Sequence, residues 1–427
     1  MPAPSPAADP KGADATARDA ARLLPGIDAH PHARAVLVPA LAPGGSASHA
    51  YLFHGPAGTG KRAVARTFAA ALLADGARSP DTVAERVARG SHPDLTWVTP
   101  SGAAEMLVAD IEEPVVAAAA RTPFESARRV FVIEGAETMN DQAANRMLKT
   151  LEEPPAFTHL LLLADRREDV LATIASRCQP VRFDPLPSAL IAELLAPADA
   201  DGAAGADAST REGNDFDERG RVLACSRLAL GDAGVAARLA SDEGRELRAR
   251  AEELVRCALS GDTSARPWLG LLAAAKAAGA AAGEQLRERL QGELELLPSK
   301  ERKRHEREGA EAQRRGERRT RTRTLDLGLR LAELWLRDLL CVREGAPELV
   351  YAVDRAERLE QDAGGAEALR EDAREGRGLD PVALRRGVEL VADTRLSLSL
   401  NVSEELALEA LAYRLQALFA GYALVLN

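Results

Sequence analysis

The chain has 427 residues, more than one ordinary core holds, so two or three domains are expected. It is 46% hydrophobic but only 4% aromatic, with Ala, Leu, Arg and Glu throughout, which favours helix-dominated packing and argues against a β-sandwich. A formal net charge of −10 argues against a protein coated in basic surface for DNA and leaves room for local patches.

Residues 1–20 are Ala, Pro, Asp and Gly with almost no large apolar side chains, so they cannot repay the entropy of ordering and are expected to form a disordered tail. From residue 21 to 187, short β-like runs alternate with helical segments, and strands are predicted at Tyr51–Phe53, Leu95–Val98, Val130–Ile133, Leu160–Leu163 and Val181–Phe183. That alternation implies a parallel sheet with helices on both faces. Pro185 and Pro187 close the block, and residues 188–242 read as a small all-helical module. It is interrupted over 196–217 by Ala, Asp, Gly, Ser and Asn, taken as a flexible surface insertion.

Residues 243–427 show Leu, Ala, Arg and Glu at helical spacing and no convincing strand, which predicts a separate helical bundle. Within it, Lys300–Arg323 carries eleven Lys or Arg against five Glu. No aromatic residue is interleaved, so a solvated helix face with salt-bridge partners is favoured over a DNA contact. Cys178, Cys225, Cys257 and Cys341 are too far apart in sequence for a metal knuckle, and no signal peptide or membrane-spanning stretch is visible; a cytoplasmic protein with free thiols is expected.

The chemistry begins at Gly55-Pro-Ala-Gly58-Thr59-Gly60-Lys61-Arg62, which follows a predicted strand and opens an Ala-rich helix, the setting of a phosphate-binding P-loop. Backbone N–H groups of such a loop curl around phosphate oxygens and the lysine reaches the terminal phosphates, but the next residue should be Ser or Thr to hold Mg²⁺. Arg62 cannot ligate a cation. A second apolar strand, Val130–Ile133, ends in Glu134-Gly-Ala-Glu137, at the distance expected of a Walker B strand. Glu134 takes the metal-side position, while Gly135 stands where a catalytic base belongs and can neither accept a proton nor polarise water. Glu137, two residues on, is a weak substitute. Further along, Asn140–Pro155 reads as an amphipathic helix stopped by prolines, and Ser176-Arg177-Cys178 precedes the last predicted strand.

These stretches together resemble one family, the delta-prime subunits of the bacterial DNA polymerase III clamp loader, which are AAA+ proteins. The resemblance is carried by His49-Ala-Tyr-Leu-Phe-His-Gly55 leading into the P-loop, His92-Pro-Asp94, Thr122-Pro-Phe124, Ala136-Glu137 followed by Met139-Asn140, Leu148-Lys-Thr-Leu-Glu-Glu-Pro-Pro155 and Ser176-Arg-Cys178, in the family's order. It covers residues 21–183 well and the remainder more loosely. It implies an α/β AAA+ P-loop domain (21–187), a helical lid (188–242) and an all-α C-terminal collar (243–427) through which subunits oligomerise, with Leu325–Leu340 and Asn401–Leu411 as contributors or, alternatively, as that domain's own core.

The resemblance also implies a ring of five subunits in which Arg177, flanked by Ser176 and Cys178, reaches the ATP of a neighbour. Its planar, permanently charged fork suits the charge that develops on a transferring phosphoryl group. Four departures remove chemistry from the chain itself: Arg62, Gly135, Ala164 where a γ-phosphate sensor belongs, and Gly234 where the lid of a hydrolysing relative carries a sensing Arg. The four-cysteine zinc module common in the family is missing from residues 74–91, so neither zinc nor any other metal is expected.

The implied function is a non-hydrolysing stator that supports ATP-dependent loading of the sliding clamp onto primed DNA during replication. Its implied partners are the motor (gamma/tau) and delta subunits, with clamp and DNA met through the complex. It would belong to a DNA-synthesising holoenzyme while forming no phosphodiester bond, with its own ATPase absent or very weak. No cofactor is required; residual binding of ATP, ADP or phosphate at Lys61 and the glycines is left open, since backbone donors need no metal. Two rivals remain at this point, an ATP-hydrolysing motor subunit of the same loader and an unrelated stand-alone P-loop transferase.

Overall fold

The structure, a computed structural model, describes residues 20–100, 105–196, 208–295, 299–364, 379–398 and 402–421. The chain divides into two compact units: Met1–Leu186 with Gly231–Ala233, and Pro187–Leu230 with Gly234–Asn427.

The first unit is built on a five-stranded, wholly parallel sheet of β1 (Ala50–His54), β2 (Leu95–Val98), β3 (Arg129–Glu134), β4 (Thr158–Ala164) and β5 (Gln179–Arg182), in the spatial order β2-β3-β4-β1-β5. Side chains alternate across a strand, and here the alternation sorts two cores. Ala50, Leu52, Phe131, Ile133, Leu160, Leu162 and Ala164 face one side, while Tyr51, Phe53, Val130, Val132, Leu161 and Leu163 face the other. Every residue of β4 is buried, as expected of a strand covered on both faces by crossover helices.

On one face lies α2 (Lys61–Ala74), burying Val64, Ala65, Phe68, Ala69, Leu72 and Leu73, together with α1 (Pro31–Leu41) and α3 (Pro80–Ala88). The other face is covered by α4 (Val108–Ile111) and by α5 (Asp141–Glu152), whose Ala143, Ala144, Met147 and Leu151 form one stripe. Asn140 caps α5 by accepting the Ala143 N–H at 2.9 Å, and Pro154 and Pro155 stop it. The short α6 (Ala172–Ala175) leads into β5.

The second unit contains α7 (Ser188–Leu195), α8 (Ala208–Leu228), α9 (Ala233–Ala240), α10 (Asp242–Ser260), α11 (Trp268–Glu295), α12 (Ser299–Arg343), α13 (Ala356–Gly364), α14 (Pro381–Leu398) and α15 (Glu404–Phe419). No strand occurs in it among the described residues.

Two expectations change, and one open alternative narrows. The insertion placed at 196–217 is shorter, because α8 already begins at Ala208; the apolar run at Val222–Leu228 propagates its helix back through turn-forming residues. Residues 197–207, like residues 1–19 of the expected tail, lie outside the described residues. The boundary expected between 242 and 243 is not a division between cores: Cys225, Leu228 and Leu239 pack in the same cluster as Leu247, Leu254, Trp268 and Leu329. Most of the candidate collar leucines serve that cluster as well. Leu325, Leu329, Leu331, Leu336, Leu339, Leu408 and Leu411 are buried in the chain's own core, whereas Leu406 is 65% exposed. In the basic segment, Arg315 pairs with Glu311 one turn back and Arg321 with Glu404 of α15.

Candidate functional site

Strand β1 delivers the chain into the P-loop, where Gly55, Gly58 and Gly60 have φ of 146°, 71° and 87°. These are values that only glycine adopts freely. Gly55 is required a second time, since a Cβ there would lie 2.0 Å from the Phe183 carbonyl oxygen at the end of β5. The loop is tied back on itself. Thr59 Oγ1 donates to the Pro56 carbonyl at 3.0 Å, and the buried Lys61 ammonium donates to the carbonyls of Gly55 and Pro56 (2.8 Å for the latter). Its remaining partner is Asp165, just beyond β4, at 3.0 Å. His30 is buried beside the loop with its ring centroid 4.9 Å from that of Phe183, and burial lowers its pKa.

Arg62 points to the end of β3. Its Nε lies 3.2 Å from Glu134 Oε2, the oxygen to which Trp97 Nε1 also donates at 3.2 Å. A guanidinium therefore meets the carboxylate at the end of β3. Gly135 has φ 74° and caps the short turn Ala136–Thr138, whose Thr138 hydroxyl donates to the Gly135 carbonyl at 2.7 Å. Glu137 lies nearer the centre than its sequence position suggested: burial raises its pKa, its Oε2 has no hydrogen-bond partner, and Asp165 and Lys61 act on it from the same site.

The loop Gly231-Asp232-Ala233 closes over the P-loop. A Cβ placed on Gly58 would lie 1.8 Å from Asp232 Oδ1, so the carboxylate rests against bare glycine backbone, and the Ala233 N–H donates to the Gly58 carbonyl at 3.3 Å.

Ser176, Arg177 and Cys178 occupy the bend between α6 and β5. Cys178 faces inward, where burial pushes its thiol up to about 12, and anchors the bend. Its neighbour consequently faces outward. The Arg177 side chain is 35% exposed; its Nε donates to Glu152 Oε1 at 2.9 Å and one terminal nitrogen to the Thr173 carbonyl at 2.9 Å, while Ser176 Oγ lies 3.4 Å from the same nitrogen. Arg177 and the P-loop are thus on separate parts of the sheet's rim, with separate partners.

Two of the motifs are structural. Asp94 is wholly buried and accepts the backbone N–H groups of Phe124, Glu125 and Ser126 at 2.5, 2.9 and 2.9 Å, so His92-Pro-Asp94 and Thr122-Pro-Phe124 form one knot. His92 accepts the Asp94 N–H at 3.2 Å and lies 3.2 Å from Glu125. His49 bonds the Leu151 carbonyl at 3.1 Å, holding the end of α5 against the start of β1.

Asp165, Asp232 and Glu152 were not foreseen as partners of the predicted site residues. Charge alone could have flagged them, but each lies far along the chain from the residue it meets. Among the described residues, no group of His, Cys, Asp and Glu is placed to hold a metal ion, and no helix is long and apolar enough to cross a membrane.

Comparison with known proteins places the first unit. Residues 30–187 match the family model described as DNA polymerase III, delta subunit. The chain is 41% identical over 147 residues to DNA polymerase III subunit delta' of Pseudomonas aeruginosa, covering 33% of this chain and 44% of that protein. It is 36% identical over 154 residues to the delta' subunit of Bacillus subtilis, covering 35% and 46%. Subunit tau of Bacillus subtilis is 34% identical over 145 residues, covering 32% and 24%. The match thus spans less than half the length of these relatives, and over that stretch the delta-prime resemblance carried by the motifs is borne out.

Proposed function

We infer that this chain, whose residues 30–187 are a delta-prime-type domain of the DNA polymerase III clamp-loader family, serves as a non-hydrolysing cytoplasmic subunit of a clamp loader. The observation that carries the reading is the Arg62–Glu134 pair, 3.2 Å long, beside a glycine at position 135. A phosphoryl-transfer site of this class needs a divalent cation bridging the phosphates and a group that orients the attacking water. The chain sets a fixed side-chain cation against the metal-side acid and offers no side chain for the second task. It holds its fold and leaves hydrolysis to a neighbour.

Arg177 is the group offered to that neighbour. It stands partly exposed at a bend beside the buried Cys178, held by Glu152 and the Thr173 carbonyl. In a ring with motor subunits of the gamma/tau type and a delta subunit, the guanidinium would exchange Glu152 for the γ-phosphate of ATP bound next door. It would then neutralise charge as the phosphoryl group transfers, a contribution of about 10³–10⁵ in rate for arginines used this way. The energy of hydrolysis would serve loading of the sliding clamp on primed DNA, with the helical second unit contributing to oligomerisation.

Steady-state ATPase of the purified chain, alone and mixed with motor and delta subunits, clamp and primed DNA, tests the reading. The expected result is silence alone, activity in the mixture, and loss of hydrolysis at the site faced by Arg177 on Arg177→Ala. ATPase of the isolated chain that survives Arg177→Ala would overturn it and point to a motor subunit or a stand-alone transferase.

A further inference from the structure

Asp232 lies against the glycine backbone of the P-loop. Phosphate oxygens bind a P-loop by lying against its glycine backbone, and the glycines matter because a Cβ would fill that space. At Gly58 the space is filled by the Asp232 carboxylate, whose Oδ1 and Oδ2 would lie 1.8 and 2.2 Å from a Cβ at that position.

Asp232 is held there by backbone on both sides. Gly231 has φ 91°, and a Cβ on it would come within 2.5 Å of Pro185 Cβ; its carbonyl accepts the Leu186 N–H at 3.2 Å, and the next residue but one, Ala233, donates to Gly58 at 3.3 Å. Leu230, immediately before, is itself in the left-handed region at φ 52°. A leucine adopts that conformation at a cost, and strained backbone of this kind persists where surrounding structure imposes it.

The cations of the loop are engaged as well. Lys61, which in an occupied P-loop reaches the terminal phosphates, is turned to two carbonyls and Asp165. Arg62 is on Glu134. The carboxylates of Glu134, Asp165 and Asp232 thus lie against Arg62, Lys61 and the Gly58 backbone respectively.

We propose that Asp232 is an internal plug of the P-loop, a carboxylate packed against Gly58 that occludes the loop by its bulk and its charge and so weakens nucleotide binding. A carboxylate has the size of two phosphate oxygens and carries one negative charge, so against Gly58 it fills space and repels a second anion. Removing it uncovers a site whose counter-charge is Lys61 together with Arg62, which stands in for the cation. Phosphate binding in the uncovered site is therefore independent of Mg²⁺. The inference goes beyond the role given to Arg177 and does not depend on it.

The test is calorimetric titration of the full-length chain with ADP, once with Mg²⁺ and once with EDTA. Wild type, Asp232→Ala, Asp232→Asn and the double variant Asp232→Ala with Lys61→Ala are compared, and circular dichroism confirms that each is folded. Asp232→Ala is expected to bind ADP at least tenfold more tightly than wild type, equally well in EDTA, and to lose that gain when Lys61 is also replaced. Asp232→Asn, which keeps the shape and drops the charge, is expected to gain less. Wild type binding ADP as tightly as Asp232→Ala would overturn the proposal, as would absence of any gain in both Asp232 variants or a gain that requires Mg²⁺.

Discussion

Replacing Asp94 by Ala should destabilise the first unit by about 3 kcal/mol, an amount set by the knot it ties. A hydrogen bond to an ionised acceptor contributes about 1.5–3 kcal/mol net, and Asp94 accepts three from the backbone of Phe124, Glu125 and Ser126. The full sum is not expected. The Phe124 side chain is 84% exposed, so its loop can move toward water and hydrate the released N–H groups. Asp94→Asn keeps one acceptor oxygen and should lose about half as much.

The carboxylate is needed in its charged form. Burial alone would raise the Asp94 pKa, but the three N–H donors outweigh it and hold the group below its ordinary 3.8. A depressed folded pKa contributes stability that is present above the unfolded value and lost as pH falls through the folded one, so the difference between wild type and Asp94→Ala should shrink in acid below about pH 4. Native-state hydrogen exchange of peptides spanning Arg129–Glu134 reports opening of this unit without assuming that the whole chain unfolds in one step. A loss below about 1 kcal/mol for Asp94→Ala, within reach of ordinary surface substitutions, would refute the reasoning.

Two further outcomes are expected. Gly135→Glu, which restores the residue type of a working base, should cost about 1–2 kcal/mol by forcing a side chain into φ 74° against Pro100, and should yield no ATPase while Arg62 still holds Glu134; a thermal melt and a phosphate-release assay read the two parts. The thiol of Cys178, pushed up to about 12 by burial, should stay unmodified by a disulfide reagent at pH 8 in the native protein, while the less buried Cys257 and Cys341 react ahead of it; mass spectrometry of the labelled peptides would expose an error if Cys178 reacted first.

The sheet was legible because its strands are short apolar runs between turn residues, and all five fall within two residues of their predicted places. The last strand is the most displaced as a whole. β5 occupies Gln179–Arg182, not Val181–Phe183, because it is an edge strand in which Gln179, Pro180 and Arg182 are exposed, and only Val181 gives an apolar signal. Phe183 still donates its N–H to the His54 carbonyl at 2.8 Å, so the pairing extends where the sequence placed it. The start of α8 was missed for the opposite reason, since Ser, Thr, Asn and Asp speak for turns locally and yield to a helix propagating from an apolar neighbour.

The glycines, Lys61, Arg62, Glu134 and Arg177 could be picked out because motifs fix their spacing. Their charged partners could not. Asp165 meets Lys61 from the far end of another strand, Asp232 reaches Gly58 from the loop that follows α8, and Glu152 meets Arg177 from the end of α5. Each pairing is a product of the sheet's topology, which a local pattern does not encode.

The order β2-β3-β4-β1-β5 also sets a timetable for the molecule as it leaves the ribosome. β1 is among the first elements made, yet both its neighbours come much later: Ala50 pairs with Leu160 and Tyr51 with Gln179. The outer pair β2 and β3 can join far sooner, through Leu95 and Val130. At about 5–20 residues per second, Tyr51-Leu52-Phe53 emerges with both edges open and waits roughly 5 to 20 seconds for β4 to be synthesised. During that interval the strand that will carry the P-loop has neither of its native neighbours and is open to wrong pairing along both edges.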